Sequence, residues 1–283
     1  MEILNGKELS LKIKSDIKNR IQEEYIDHGR DVPCLACIIV EGNAASEVYV
    51  ASKEKACMAC GMRSIVERIP NDASEEDIIA VIEKLNNDSG VSAILLQLPL
   101  PKGLDERKIV NTIAPSKDAD GLTDASLGAL FAARKTIAPC TAIGIVHLLE
   151  ENGIQIEGKN VVVIGRSLLV GKSVANLLEQ KNATVTICHS RTRDLSEHTK
   201  RADIVIVAIG KPKFLTADMV KDGAVVVDVG INRTESGLIG DVDFDSVKEK
   251  ASWITPVPGG VGPMTIAELL SNTLILHEMK NKN

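Results

Sequence analysis

Aromatic side chains supply only 2% of this 283-residue chain, which leaves few flat platforms on which bases could stack. A basic excess is missing as well. The 33 Lys and Arg are outnumbered by 39 Asp and Glu, for a net charge of -6, and such a balance opposes binding to a phosphate backbone. Nucleic acid is therefore excluded as the expected partner. Apolar runs long enough to span a bilayer are absent, so no membrane partner is expected. The first residues, M-E-I-L-N-G-K-E-L-S-L-K-I-K-S-D, are charged throughout and hold no signal-peptide core, which points to a cytoplasmic protein. Low-complexity segments and internal repeats are lacking too. What remains is an ordinary globular composition, 44% hydrophobic, in a chain long enough for two domains with a core each.

Six cysteines are present, but the Gly-rich knuckles that turn paired thiolates toward one ion are not. Cys34 with Cys37 and Cys57 with Cys60 match a structural zinc pattern by count alone. Cys34 to Val40 reads as a strand, on which residues three apart point to opposite faces, whereas Cys57 and Cys60 fall on one side of a helical stretch. Reduced core thiols and no metal are the expectation, and disulfides do not suit the cytosol.

Helical and extended patterns alternate from end to end, the mark of a parallel α/β architecture. Helices are predicted over Gly6 to Tyr25, Ser46 to Ala59, Ser74 to Asn86, Glu106 to Ile113, Thr141 to Glu151 and Thr265 to His277. Strands are predicted over Leu35 to Val40, Arg63 to Ile69, Val91 to Gln97, Val161 to Ile164, Ala183 to Cys188, Asp203 to Ile209, Ala224 to Val229 and Trp253 to Thr255. The expected fold is two α/β domains with a cleft between them, the second Rossmann-like. The first would be an N-terminal catalytic domain over residues 1–140, to which a C-terminal helix near 265–283 returns; the second would span 141–283. Ligands of such sheets bind beyond the carboxyl ends of the strands.

The most telling stretch is V-V-V-I-G-R-S-L-L-V-G-K-S-V-A-N-L-L-E-Q, Val161 to Gln180. A wholly apolar strand ends at Gly165, where a tight turn and a close ligand need a residue without Cβ, and a helix then opens with its free N–H groups facing that turn. The spacing departs from G-x-G-x-x-G, because Ser167 replaces the second Gly and Gly171 arrives one residue late. An NAD-type unit would end its next strand in Asp or Glu. Here that strand ends in His189-Ser190-Arg191-Thr192. Arg166 in the first turn, with Ser190 and Arg191 in the second, gathers cationic and hydroxyl donors where a 2′-phosphate would lie, which favours NADP over NAD. Ordinary solvated surface arginines are the bland reading of the same residues.

Tyr49 and Lys53, four apart on one helix, project from one face. In a cleft, a desolvated Lys becomes a proton donor and acceptor near neutral pH, with the phenol supplying a hydrogen bond; on a surface it is a snorkelling side chain in a helix that also holds Lys55. Gln97 closes the strand V-S-A-I-L-L-Q before Leu98-Pro99, facing either a cleft or a helix cap. Asp118 and Asp120 in K-D-A-D-G-L are suited to a metal, to capping, or to paired hydrogen bonds from an aminopyrimidine edge.

Taken together, these blocks resemble the bifunctional methylenetetrahydrofolate dehydrogenase/methenyltetrahydrofolate cyclohydrolase family over nearly the whole chain. The matching runs are Tyr49-x-x-x-Lys53 after Glu41-Gly42, Gln97-Leu98-Pro99-Leu100, Lys117-Asp118-Ala119-Asp120-Gly121 and Pro139-Cys140-Thr141. They continue with Gly165-Arg166-Ser167, Asn182 to Thr186, Asp228-Val229-Gly230-Ile231-Asn232, Gly240-Asp241-Val242-Asp243, and Pro256 to Thr265. The resemblance implies a folate substrate, NADP as cofactor, a homodimer and chemistry without metal. It also implies roles: Lys53 as principal catalytic residue, Tyr49 positioning substrate, Gln97 bonded to Lys53, and Asp120 on the pterin. Gly165, Arg166, Ser167, Ser190, Arg191 and Ile231 would line the cofactor site, and Pro258, Gly259 and Gly260 would lie near nicotinamide and folate. Three departures from the family pattern touch loops: Leu122 to Ser126 where an aromatic and a later Asn are usual, and Ala142 and Ser173 where Pro is usual. The competing readings are a shikimate-dehydrogenase-like oxidoreductase and a zinc-stapled binding module.

Overall fold

The structure, a computed structural model, describes residues 1–235 and 237–281. In chain order, the first elements are β1 (Glu2–Ile3), α1 (Gly6–Ile21), β2 (Cys34–Val40), α2 (Ala44–Ala59), β3 (Arg63–Ile69), α3 (Glu75–Asn87), β4 (Ala93–Leu96), α4 (Glu106–Val110) and α5 (Asp124–Phe131). There follow α6 (Cys140–Glu151), β5 (Asn160–Ile164), α7 (Ser173–Gln180), β6 (Thr184–Cys188), α8 (Leu195–Thr199), β7 (Ile204–Val207) and β8 (Val225–Asp228). The hairpin β9 (Asn232–Thr234) and β10 (Gly237–Ile239), then α9 (Phe244–Val247), β11 (Trp253–Ile254) and α10 (Val261–Asn281), complete the chain.

The chain divides into two compact units, Met1–Leu11 with Pro139–Glu268, and Lys12–Ala138 with Leu269–Asn283. This corrects the expected first domain at its start. Residues 1–11 were assigned with the segment up to 140, yet they belong with Pro139–Glu268, because β1 pairs with β11 and extends its sheet: Leu4 N–H donates to Ile254 O at 2.9 Å.

In the Lys12–Ala138 unit, three parallel strands lie in the order β3-β2-β4. All seven residues of β2 are buried, as expected of a parallel strand covered on both faces. Ile38, Ile78, Ile82 and Ile94, none of them exposed, anchor its core. Ser74 caps α3 in a reciprocal box with Asp77, its hydroxyl taking Asp77 N–H at 3.2 Å while Asp77 takes Ser74 N–H at 2.9 Å. On α10, buried His277 bonds Ser92 Oγ at 2.9 Å and meets Tyr25 edge-on, ring centroids 5.2 Å apart.

The other unit carries six parallel strands in the order β1-β11-β8-β7-β5-β6. The order reverses between β5 and β7, the topological switch point of a Rossmann-like sheet. Val162, Val205, Val207 and Val226 fill its core. On one side, His147 Nδ1 of α6 meets the buried Glu268 carboxylate of α10 at 2.8 Å. That hydrogen bond raises the His147 pKa, and burial opposes it. The stabilisation from a raised His pKa is complete below the unfolded value and is lost as pH rises through the folded one. Wild-type protein should therefore exceed His147→Ala in thermal midpoint most at pH 5.5, with the gap narrowing by pH 8.5; a gap independent of pH would disprove the ion pair.

Candidate functional site

Both sheets present their switch points as candidate sites. In the three-stranded sheet the carboxyl ends of β2 and β4 lead into α2 and into Gln97. Asn43 starts α2, its Oδ1 taking the N–H groups of Ala45 at 3.0 Å and Ser46 at 3.1 Å. Two turns on, Lys53 Nζ donates to Gln97 Oε1 at 2.9 Å. Gln97 is held from two sides: its backbone N–H donates to Ile38 O at 2.8 Å and its Nε2 to Leu98 O at 2.6 Å. With its Nε2 so engaged, the amide shows its oxygen to Lys53. Tyr49, one turn earlier on the same helix, is 40% exposed.

The two aspartates of K-D-A-D-G have different surroundings. Asp118, 2% exposed, takes Leu122 N–H at 3.2 Å and Thr123 N–H at 2.8 Å, so it ties its own loop. Asp120 is half-buried beside it. The unusual residues that follow are absorbed by capping. Thr123 Oγ1 takes Ser126 N–H at 3.2 Å at the start of α5, and Asp124 exchanges two 2.7 Å hydrogen bonds with Asn111.

All six cysteines are buried and free. Burial pushes the Cys37 thiol up to about 11 and that of Cys57 to about 12, which keeps them as neutral core groups. Among the described residues no group of three or more His, Cys, Asp or Glu could hold a metal.

In the six-stranded sheet, a cavity of about 490 Å³ opens at the β5/β7 switch point. Gly165, at φ +127°, begins its floor; a Cβ there would overlap Ala208 O. The late glycine has a structural cause. Residues Leu168–Lys172 form one wide π-type turn, with Lys172 N–H reaching Ser167 O at 2.9 Å, and this turn takes up the extra residue. Gly171 then packs where a Cβ would overlap Gly165 O, which is the close-packing role of a third fingerprint glycine. Ser173 uses both its N–H, toward Val170 O, and its hydroxyl, toward Leu168 O.

Arg166 and Ser190 line the cavity along with Gly165. Ser167, Arg191 and Ile231 lie outside its lining. The Ser167 hydroxyl caps the helical turn by taking Val170 N–H at 3.2 Å, and Ile231 is 42% exposed on the loop after β8. Arg191 acts here through its backbone, donating its N–H to His189 Nδ1 at 3.1 Å. In its neutral form His189 then carries its proton on Nε2, a further donor. Sequence reasoning missed Thr192 and Lys211 in the lining. Lys211 Nζ stands 5.9 Å from the Phe214 ring centroid, and its signal was available in G-K-P two residues after the apolar β7.

The loop after β11 is shaped from the chain's beginning. Lys7 N–H donates to Gly259 O at 2.8 Å, and a Cβ on Gly6 would overlap Gly260 O. Gly260 is equally confined, its own Cβ falling 2.6 Å from Pro256 O and 2.8 Å from Thr255 Cβ.

A switch-point cavity edged by Arg, Lys, His and hydroxyl donors without an acid defines an NAD(P)-binding oxidoreductase unit, joined in this chain to an α/β unit bearing a Lys–Gln pair. Residues 4–120 match the catalytic domain of tetrahydrofolate dehydrogenase/cyclohydrolase, and residues 139–281 match its NAD(P)-binding domain. This chain belongs to the tetrahydrofolate dehydrogenase/cyclohydrolase family. It is 53% identical to the bifunctional protein FolD of Campylobacter hominis over 97% of this chain and 96% of that protein. Among solved structures, the bifunctional methylenetetrahydrofolate dehydrogenase/cyclohydrolase of Campylobacter jejuni is 46% identical, with TM-score 0.96 and complete coverage of both chains. The Trypanosoma brucei enzyme, solved with NADP and an inhibitor, is 35% identical with TM-score 0.95, covering 99% of this chain and 98% of that one. A shikimate dehydrogenase from Aquifex aeolicus, at 14% identity and TM-score 0.53 over 89% of this chain and 98% of that one, shares the fold alone.

Proposed function

We propose that this chain oxidises 5,10-methylenetetrahydrofolate to the 5,10-methenyl compound with NADP+ and hydrolyses that product to 10-formyltetrahydrofolate. The observation that carries the reading is the Lys53 to Gln97 hydrogen bond at the end of the β2/β4 switch point, in a chain of the tetrahydrofolate dehydrogenase/cyclohydrolase family. The cavity fits NADP. Gly165 and Gly171 let the turn after β5 close tightly beside the cavity, and Arg166, Ser190, Thr192 and Lys211 offer donors to a 2′-phosphate. When bound, NADP+ supplies the hydride acceptor for the methylene carbon.

The chain's own residues do the rest. Asp120 accepts hydrogen bonds from the pterin edge, and Tyr49 places the folate from the same face of α2 as Lys53. In the hydrolysis, water adds to the cationic methenyl carbon and loses a proton; the bond from that carbon to N5 breaks as N5 gains a proton, and the remaining O–H proton leaves to solvent as the formyl C=O forms. Lys53 receives the first proton and returns one to nitrogen, while the Gln97 carbonyl, pinned by Leu98 O and Ile38 O, orients the amine. Pro258, Gly259 and Gly260 contact the bound cofactor from their own unit, Ser167, Arg191 and Ile231 complete its surroundings, and the protein is cytoplasmic. A homodimer belongs to the same reading: β6 is an edge strand with Ile187 40% exposed, a surface suited to a second copy and checked by sedimentation.

The test is an absorbance assay with methylenetetrahydrofolate and each nicotinamide cofactor, following reduced cofactor and methenyltetrahydrofolate together. Turnover with neither cofactor would refute the proposal. Arg166→Ala should weaken NADP+ binding by about 1.5–3 kcal/mol, the range for hydrogen bonds to charged groups, and NAD+ binding much less. Equal losses for both cofactors would remove Arg166 from the 2′-phosphate site.

A further inference from the structure

Two runs of the sequence, D-V-G-I-N at 228–232 and G-D-V-D at 240–243, have no assigned role beyond that of Ile231. Their aspartates are buried, Asp228 at 3% exposure and Asp241 at 0%. We propose that Asp241, braced by Asp228, is a positioning residue that fixes the β7 loop as a wall of the cofactor cavity. The proposal rests on the NADP reading of that cavity.

Asp241 Oδ2 takes the N–H groups of Ile209 at 2.7 Å and Gly210 at 2.9 Å, and its Oδ1 takes Asn232 Nδ2 at 2.9 Å. Ile209 lines the cavity, and Lys211 follows two residues later. One carboxylate therefore ties the loop after β7 to the hairpin strand β9. Asp228, at the end of β8, holds Asp241 in place: its Oδ1 takes Asp241 N–H and Gly230 N–H, and its Oδ2 takes Val242 N–H, all at 2.9 Å. Thr255 Oγ1 in turn takes Asp228 N–H at 2.7 Å. Side chains are excluded from the contact, since a Cβ on Gly230 would overlap the Asp241 carboxylate and one on Gly240 would overlap that of Asp228.

The choice of carboxylate is informative. Asp241 faces three donors, and an ionised carboxylate can satisfy them all because it has no donor of its own. An amide at this position would turn its NH2 against one of them. Buried charges are retained where hydrogen bonds satisfy them, and here the satisfied donors belong to the cavity wall.

The experiment measures NADP+ affinity of the full chain by calorimetry for wild type, Asp241→Asn, Asn232→Asp and the double variant. Asp241→Asn turns an NH2 toward Asn232, whose amide must then reverse and give up Ile239 O, and the charged acceptor of Ile209 and Gly210 N–H is lost, so Kd should rise about tenfold or more, the scale of a lost hydrogen bond to a charged group. Adding Asn232→Asp reverses that one hydrogen bond and leaves an oxygen for Ile209 and Gly210, so the double variant should return to within about threefold of wild type. KM for NADP+ should follow Kd while kcat at saturating cofactor changes less than about twofold, the pattern of lost binding rather than lost chemistry. If Asp241→Asn alone fails to fold, the double variant still decides the matter by its Kd. Wild-type affinity in Asp241→Asn, or a double variant that regains its melting temperature but not NADP+ affinity, would overturn the proposal. Failure of the wild-type chain itself to bind NADP+ would overturn the functional reading and this one with it.

Discussion

Lys53→Met should reduce cyclohydrolase activity to background while dehydrogenase activity falls less, so that methenyltetrahydrofolate accumulates in the assay. Methionine keeps much of the length of the side chain and loses the amine. Hydride transfer depends chiefly on face and distance, which the remaining contacts still set. Hydrolysis needs a group that gives and takes a proton, a contribution of about 10²–10⁴-fold. The Lys53–Gln97 geometry adds a second expectation, for Gln97→Ala. Loss of the 2.9 Å acceptor frees the amine to leave its position, so the rate of hydrolysis should fall while NADP+ binding stays near the wild-type value. A folded Lys53→Met protein with both activities intact would remove Lys53 from the mechanism. Loss of both, with folate and NADP+ still bound, would keep it catalytic and show that the two steps share it.

Asp120→Ala should raise the folate KM by about ten- to hundredfold, the equivalent of losing a charge-assisted pair of hydrogen bonds, with NADP+ Kd near the wild-type value. Asp118 supplies the contrast. Its carboxylate serves Leu122 and Thr123 N–H, so Asp118→Ala should lower the melting temperature before it affects any single ligand. Unchanged folate affinity in Asp120→Ala would place the pterin elsewhere.

The parallel architecture was legible because its strands are apolar on both faces: C-L-A-C-I-I-V and N-V-V-V-I announce themselves without any partner being known. Other elements carried no local signal. Two residues, Glu2 and Ile3, have no period, and only pairing with β11 makes them a strand. The final helix was expected from Thr265, since V-G-P-M reads as a breaker, yet α10 starts at Val261. Pro263 is tolerated because it sits in the first turn, where backbone N–H groups have no helical partner. Short α8 and α9, the β9/β10 hairpin and α5, which contains Gly128, also fell below what periodicity can detect.

The candidate site divides in the same way. Arg166 and Ser190 stand in the cavity lining, and the sequence could single them out because turns after apolar strands are local features. The backbone use of Arg191 and the capping hydroxyl of Ser167 were not readable, because a hydrogen bond to a neighbour's ring or to a helix N–H leaves no trace in spacing. Asp241 was visible only as part of a motif. Its partners Ile209 and Gly210 are more than thirty residues away, and burial of the carboxylate, not its position in the chain, gives it meaning.

The contact of Gly6 with Gly260 makes two distant positions a single locus. A methyl group at Gly6 would strike the Gly260 carbonyl and one at Gly260 would strike Pro256 O and Thr255, so both disturb the loop that follows β11, and a change written near the start of the gene would be expressed there. Random mutagenesis screened for activity should therefore return hits at Gly6 alongside those in Pro256 to Gly260, and a second-site suppressor of one should map to the other end of the chain.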